Sequence, residues 1–465
     1  MNDITAIFAF LKYCFGSKED MSRVIACMNW QELYFFASKQ ALLGLCFEGI
    51  ERLGKKYPEE LKRNPIGREL LMTWMGKAQQ IRRQNMKVNA VAGKLFAMLR
   101  VDGMRCCVLK GQGNALMYPN PYSRTPGDID VWIDASRERI MEYAQKKFEL
   151  GDDIRLQHLE TSLDGVPVEL HFFPCSMNNP IYHARLQKWF RRNADLQSSH
   201  IVGLPDGAGD IAIPTMAFNV IYQLCHLYHH FFDEGIGMRQ IIDYFLVVND
   251  FSKNVFLDYD FSNHPVPLSK EGSTFSPSPS QWSLHPLRFP RFRGTETSGS
   301  GDVTAPSRCS EPLRSKDGGA SKPSPDCAGW DRRGVSGDTS SAFTTDSSAS
   351  TALVVVQREL KYLGLWKFAG AVMYVLKEVL GLAEDKMIVP MDEKRGRLLL
   401  AEILDGGNFG RHFTKYAGFT HQSMGKKYFL KIWRNMHFVR YYPAEALSEP
   451  IFRTWHFFWR VKNKK

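Results

Sequence analysis

Asp128 and Asp130 stand two residues apart in the run DIDVW. On an extended strand, residues at that spacing share a face, so both carboxylates should point one way while Ile129 and Val131 enter a core behind them. Two carboxylates held so close repel, and one resists ionisation unless a cation joins them. Hard oxygen donors of this kind suit Mg2+ or Mn2+, which keep part of their water and share phosphate oxygens with the protein. Pairs of this type also occur on solvated strand ends without any metal, so the surroundings decide.

Upstream, the apolar run CCVLK ends at Lys110 and Gly111. A glycine there lets the backbone approach a ligand, and the helix that follows starts with amide hydrogens free for phosphate oxygens. Downstream, Glu169 lies between Val168 and Leu170 in VPVELHFF, where strand alternation can turn it onto the face of the aspartates. His171, two positions on, shares that face and is a candidate for touching substrate. Three acids on adjacent strands opposite a glycine turn form the donor set of a two-metal phosphoryl-transfer site.

The elements that must position these residues follow from periodicity. Residues 3 to about 100 repeat apolar positions at three and four, ending in one long amphipathic helix over 67–100. From Arg105 the pattern becomes strand, turn, short helix, Pro-rich loop and strand, then a helix over 136–149. A polar run HLETSLDG with an Asp-Gly turn leads into a further strand, VPVELHFF. Two helices follow from Pro214. Between 252 and 350 the composition collapses into Ser, Pro, Gly, Thr and Asp, too poor in aliphatics to offset the entropy of ordering, which predicts a disordered insert. Helical patterning resumes near 354, with Pro443 and Pro450 as expected breaks. The expected fold class is α+β: a helical region over 1–100, a mixed-sheet domain over 101–205, helices packing on it over 206–251, the insert over 252–350, and a C-terminal helical region over 351–465.

The 465-residue chain is 44% hydrophobic, enough to bury a sizeable core. It has no run of eighteen apolar residues and no basic leader, so no integral membrane span is expected and the chain reads as cytoplasmic. Nine cysteines with no C-x-x-C pair argue against a disulfide framework or a structural zinc. The net charge of +11 suits an anionic partner without choosing among nucleotide, nucleic acid and membrane surface.

Other residues carry weaker signals. His226, His229 and His230 have helical spacing, which favours packing over zinc because no cysteine or acid completes a ligand set; a substrate contact at His229 stays open. Arg239 and Asp243, four apart, read as an intrahelical pair. Gly406, Gly407 and Gly410 read as a helix stop rather than a phosphate cradle. The aromatic and basic tail reads as a packed terminal helix, with nucleic-acid or membrane binding as the other options.

The pattern LKGQGNALMYPNPYSRTPGDIDVWI followed by VPVELHFF resembles an uncharacterised nucleotidyltransferase family, and more broadly the DNA-polymerase-β-like nucleotidyltransferases. The likeness extends to HLYHHFFDEGIGMRQIIDYFLVV, to ELKYLGLWKFAGAVMYVLKEVLGL and to RLLLAEILDGGNFG. It implies that Gly111 occupies the glycine turn, Asp128 and Asp130 the metal pair, and Glu169 the third acid. It implies a nucleoside triphosphate as partner and Mg2+ or Mn2+ as cofactor, with a small molecule, protein or RNA as acceptor. The broader superfamily has Gly-Ser or Gly-Gly at the turn and a shorter spacing to the first Asp. Here Gly111 is followed by Gln112 and the spacing is longer, which shifts phosphate binding to Lys110 and Arg124. Two alternatives remain alongside small-molecule transfer: a non-catalytic nucleotide-binding or regulatory protein, and an enzyme that modifies RNA or protein.

Overall fold

The computed structural model describes residues 3–254, 345–413 and 424–463. The expected insert therefore lies outside the described residues except at its edges, where 252–254 and 345–350 are helical rather than irregular.

Five helices open the chain: α1 (Asp3–Cys14), α2 (Ser22–Cys27), α3 (Trp30–Lys39), α4 (Leu43–Lys56) and α5 (Pro58–Arg63). The long helix α6 (Arg68–Val101) follows, as its period predicts. Its N-terminal half is tied to α4 by Trp74, which is fully buried and donates its indole N–H to the Leu43 carbonyl at 2.8 Å. Its C-terminal half places Val88, Val91, Leu95 and Leu99 against the sheet.

That sheet comprises β1 (Cys106–Val108), β2 (Ile129–Ile133), β3 (Leu150–Ile154), β4 (His158–Leu163) and β5 (Val166–His171), in the order β1-β2-β5-β4-β3. The short α7 (Gln112–Ala115) lies between β1 and β2, and α8 (Arg137–Lys147) follows β2. The Ser136 hydroxyl caps α8 by accepting from the Arg139 amide. Only the β2–β5 pairing is parallel, with Asp130 opposite Glu169 and Trp132 opposite His171. β3 and β4 correct the sequence reading, which took HLETSLDG for a polar run before a single strand. Its side chains are polar on one face, yet its backbone pairs on both sides and Leu159 enters the core.

Alternation then sorts the two faces. Ile129, Val131, Ile133, Val168 and Leu170 pack under α6 and α8, in one core with Ile140 and Ala144. The opposite face carries Asp130, Trp132, Glu169 and His171. Trp132 packs there on Phe190 and Phe218, each with ring centroids 6.1 Å away. These rings belong to α9 (Pro180–Ser199) and α10 (Met216–Asp233), which are separated by the hairpin β6 (Ile201–Gly203) and β7 (Asp210–Ala212). The acids thus lie on the face that α10 covers.

α11 (Met238–Asn254) packs antiparallel to α10 across a turn at Gly235 and Gly237. Beyond the undescribed stretch come α12 (Thr345–Tyr362), α13 (Trp366–Leu380), α14 (Glu393–Gly406), α15 (Met424–Met436) and α16 (Pro443–Asn463). Phe231 and Phe232 of α10 share one aromatic core with Phe368, Phe438 and Tyr442. Pro443 starts α16, but Pro450 does not end it. A proline inside a helix costs about 3 kcal/mol. Contacts on both sides of it hold this helix: Glu445 accepts from the backbone amides of Asn178 and Asn179, and Arg453 pairs with Asp233 at 2.9 Å. The tail is not wholly packed, since Ile451, Trp455, Phe457 and Phe458 remain exposed. Among the described residues no helix is long and apolar enough to cross a membrane.

Candidate functional site: an acidic cluster on the sheet

The parallel pairing of β2 with β5 puts Asp130 and Glu169 side by side, and Asp128 immediately precedes β2 on the same face. One carboxylate oxygen from each of the three lies within 4.8 Å of the others. Asp130 is buried, Glu169 is half-buried and Asp128 is exposed, so the cluster reaches solvent at one end. The structure therefore brings together the three acids that alternation predicted.

Two cations of the chain serve this cluster. Lys110 Nζ lies 3.0 Å from Asp130 Oδ1. His171 Nε2 lies 3.1 Å from the same oxygen and 3.2 Å from Glu169 Oε2. Burial works against charge on His171, but its hydrogen bonds to Asp130 and Glu169 outweigh that and push its pKa up to about 9. Burial likewise opposes charge on Asp130, and Lys110 and His171 overcome it, holding the carboxyl well below the usual range. Asp128 goes the other way: the neighbouring Asp130 charge, reinforced by burial, pushes it up to about 6. Three acids face two cations, and Asp128 is where the excess negative charge appears.

Lys110 is held from behind. Its ammonium also meets His226 Nε2 at 2.7 Å, and burial together with that ammonium drives the His226 pKa far down. A neutral His226 accepts a hydrogen bond from the Lys110 ammonium and aims the side chain at Asp130. Gly111 adopts φ +59°, which favours glycine, and a Cβ there would meet the Asp128 carbonyl at 3.6 Å. α7 then docks through buried amides: Asn114 and Gln223 exchange hydrogen bonds of 3.1 and 2.8 Å.

Arg124, expected to bind phosphate, is largely engaged by a carboxylate of the covering helices. It borders the same cavity, but Nε and Nη2 both donate to Asp243, at 2.9 and 2.8 Å, with both residues buried. Tyr118 donates to the same carboxylate at 2.8 Å. Asp243 is thus taken by Arg124, and the intrahelical pair expected with Arg239 is replaced by this longer-range one. Arg239 instead donates through Nη1 to the Thr125 carbonyl at 3.0 Å, while its buried Nε has no hydrogen-bond partner. Its guanidinium lies 5.5 Å from the Phe409 ring centroid, and both side chains border the cavity holding Asp128 and Lys110.

His229, for which a substrate contact was left open, lies away from the acids. It faces Ser176 at 3.5 Å in a second cavity with Asp233 and Arg453, and it is His226 that borders the acids. Spacing along a helix gives relative phase, but which member of the His triplet faces the sheet depends on how α10 is rotated. The DGGNFG segment, read as a helix stop, also closes on the α10–α11 turn. A Cβ at Gly410 would meet the Glu234 carbonyl at 1.8 Å and one at Gly237 would meet Asn408 at 2.6 Å. That close packing holds Phe409 at φ +55° beside the cavity. The sequence reading weighed His226 as packing and Arg239 as half of an intrahelical pair and did not reach Phe409, for which an aromatic side chain inside a glycine cluster was the one visible signal.

A mixed sheet with three converging acids, a glycine turn and covering helices is consistent with a nucleotidyltransferase domain. The chain belongs to an uncharacterised nucleotidyltransferase family, whose model matches residues 26–262, just over half of the sequence. The match ends before the C-terminal stretches included in the resemblance. No curated protein and no solved structure matches the chain.

Proposed function

We propose that this protein transfers a nucleoside monophosphate group from a nucleoside triphosphate to an acceptor hydroxyl or amine, with Asp128, Asp130 and Glu169 holding Mg2+ or Mn2+. The observation that carries this reading is the register of Asp130 with Glu169 beside an exposed Asp128 whose carboxyl is pushed up by the Asp130 charge and by burial. An all-oxygen donor set with surplus negative charge fits a hard divalent ion. Bound there, such an ion would offset phosphate charge and favour departure of pyrophosphate.

The chain's own groups supply the rest. The acceptor oxygen or nitrogen bonds to the α-phosphorus, the α–β bridging bond breaks, and the electron pair leaves with pyrophosphate. In this reading Glu169 takes the acceptor's proton. Lys110, held by His226, sits where a phosphate oxygen would approach Asp130. Of the two guanidinium groups bordering the cavity, Arg239 retains an unused donor, whereas Arg124 is engaged with Asp243. Arg239 is therefore the phosphate-contacting arginine in this reading, and Arg124 positions the loop before Asp128.

The test is incubation of the full chain with triphosphates labelled at the α-phosphate, Mg2+ or Mn2+ and a cell extract, reading which molecule takes up label. The D128N/D130N double variant should lose transfer while keeping its circular dichroism spectrum. Transfer by a folded double variant would overturn the assignment. Nucleotide binding by the parent without any label transfer would favour a regulatory protein on the same fold.

A further inference from the structure

β4 and β5 are antiparallel neighbours, and their register puts His158 directly opposite His171. Glu169, two positions before His171, stands on the same face. The sequences His158-Leu-Glu160 and Glu169-Leu-His171 therefore run past each other with histidine against histidine and glutamate against glutamate. Arg155 takes Glu160 at 2.5 Å on the outer side. What remains inside is two imidazoles and one carboxylate. The ring centroids are 5.0 Å apart, and one donor atom from each of His158, Glu169 and His171 lies within 4.8 Å of the other two.

His158 supplies an independent sign that something is meant to sit there. Its residue exposure is 8%, and neither ring nitrogen has a hydrogen-bond partner, although Nδ1 stands 3.4 Å from Glu169 Oε2 and Nε2 stands 3.9 Å from Glu160 Oε1. A buried polar atom without a partner is costly, of the order of 1–3 kcal/mol. His171 is oriented by contrast: its Nδ1 meets the Gln157 side-chain amide at 3.3 Å, which turns Nε2 toward Glu169 and Asp130.

We propose that His158, Glu169 and His171 form a second metal site, separate in chemistry from the three-acid set, that takes a first-row transition ion such as Zn2+. Two imidazole nitrogens and one carboxylate oxygen are the donors of such ions once the incoming ion displaces the His171 Nε2 proton to solvent, while Mg2+ prefers oxygen throughout. Glu169 is shared, so the two sites adjoin, and His171 touches the Asp130 oxygen of the first. Three protein donors leave coordination positions open to solvent or to an incoming group. The proposal does not depend on nucleotidyl transfer, since it rests on donor geometry and an unpartnered histidine alone.

The experiment uses the chelator-stripped full chain dialysed against Zn2+ with Mg2+ in large excess, and in parallel titrated with Co2+ while the visible absorption is followed. The parent should retain Zn2+ against Mg2+ and give the intense visible bands of a low-coordinate Co2+ site with nitrogen donors. H158A and H158Q should weaken retention at least about a hundredfold and abolish the bands; two variants are needed so that one that keeps its circular dichroism spectrum can be read. D128N should leave both signals in place. Retention or bands that survive in a folded His158 variant overturn the proposal, as does a parent that loses Zn2+ to Mg2+. Failure of the transfer assay would remove the reading of the three-acid site and leave this one standing.

Discussion

Two groups of buried charge lie along the same cavity and are built on opposite principles. Around Asp243, one carboxylate meets one bidentate arginine and a tyrosine hydroxyl, and every charge of the pair is matched. On the sheet, three carboxylates share Lys110 and His171, and Asp128 is left with its carboxyl pushed up by Asp130. A matched pair holds two segments of chain together. A mismatched cluster leaves negative charge for a cation to offset, as the proposed metal site requires and a structural contact avoids. Glu445 adds a third case: a buried carboxylate that neutral amides of Asn178 and Asn179 serve, and burial pushes it up to about 7.

The contrast is broken most severely at the pair. R124M removes the guanidinium bonded to buried Asp243, and denaturant unfolding should show a loss of about 3–5 kcal/mol. Adding D243L should return the protein to within about 1–2 kcal/mol of the parent, because an apolar pair of similar volume does without the desolvation of two charges. A double variant as unstable as R124M would show that Asp243 has a role beyond the pair.

At Arg239 the expectation reverses. R239M should cost little stability, less than about 1 kcal/mol, while kcat/KM for the triphosphate falls roughly tenfold to a hundredfold, equivalent to about 1.4–2.8 kcal/mol of binding. An unchanged kcat/KM would remove Arg239 from the phosphate contact.

Glu445 sharpens the comparison through pH. Its folded-state pKa is raised from 4.5 to about 7, so the folded form holds a proton that the unfolded chain has already lost between those values. Its contribution is fully present below about 4.5 and is lost as pH rises through 7. The parent should therefore lose stability relative to E445Q between pH 5 and pH 8, by about 1–3 kcal/mol in thermal or denaturant unfolding. A difference between the two that does not change with pH would contradict the shift.

The smallest effect belongs to the sheet. In chelator, D128N removes one member of a repelling trio, so its unfolding free energy should equal or slightly exceed that of the parent, by less than about 1 kcal/mol. A loss of several kcal/mol would mean that Asp128 is a structural partner like Asp243.

Much of this site could be read from the chain because it depends on period-two alternation. DID and VELH each carry their own facing rule, and the glycine turn after CCVLK is local. The aspartates needed no tertiary information to share a face, and Glu169 needed only that its strand lie next to theirs. What escaped was set by contacts far along the chain. Arg124 finds its partner 119 positions away, on a helix whose own spacing suggested a different pairing. His226 rather than His229 meets the sheet because of how α10 is rotated, which no spacing encodes. β4 was hidden because most of its residues are polar and Leu159 is its one fully buried apolar side chain, with Leu163 only partly buried against the core. With that strand unseen, His158 could not be placed opposite His171.

The in-register ladder between β2 and β5 also limits how this chain can vary in length. Adding one residue to β5 ahead of Glu169 would put a different neighbour beside Asp130 and swing the glutamate under α6 and α8, into a compartment of valine, leucine and isoleucine. Insertions are tolerable before the ladder begins, at the Asp164–Gly165 hairpin, where both residues already adopt positive φ, provided the pairing beyond them is kept in phase. The sheet therefore acts as a reading frame for the acids, open to edits at its turns and closed to them along its strands.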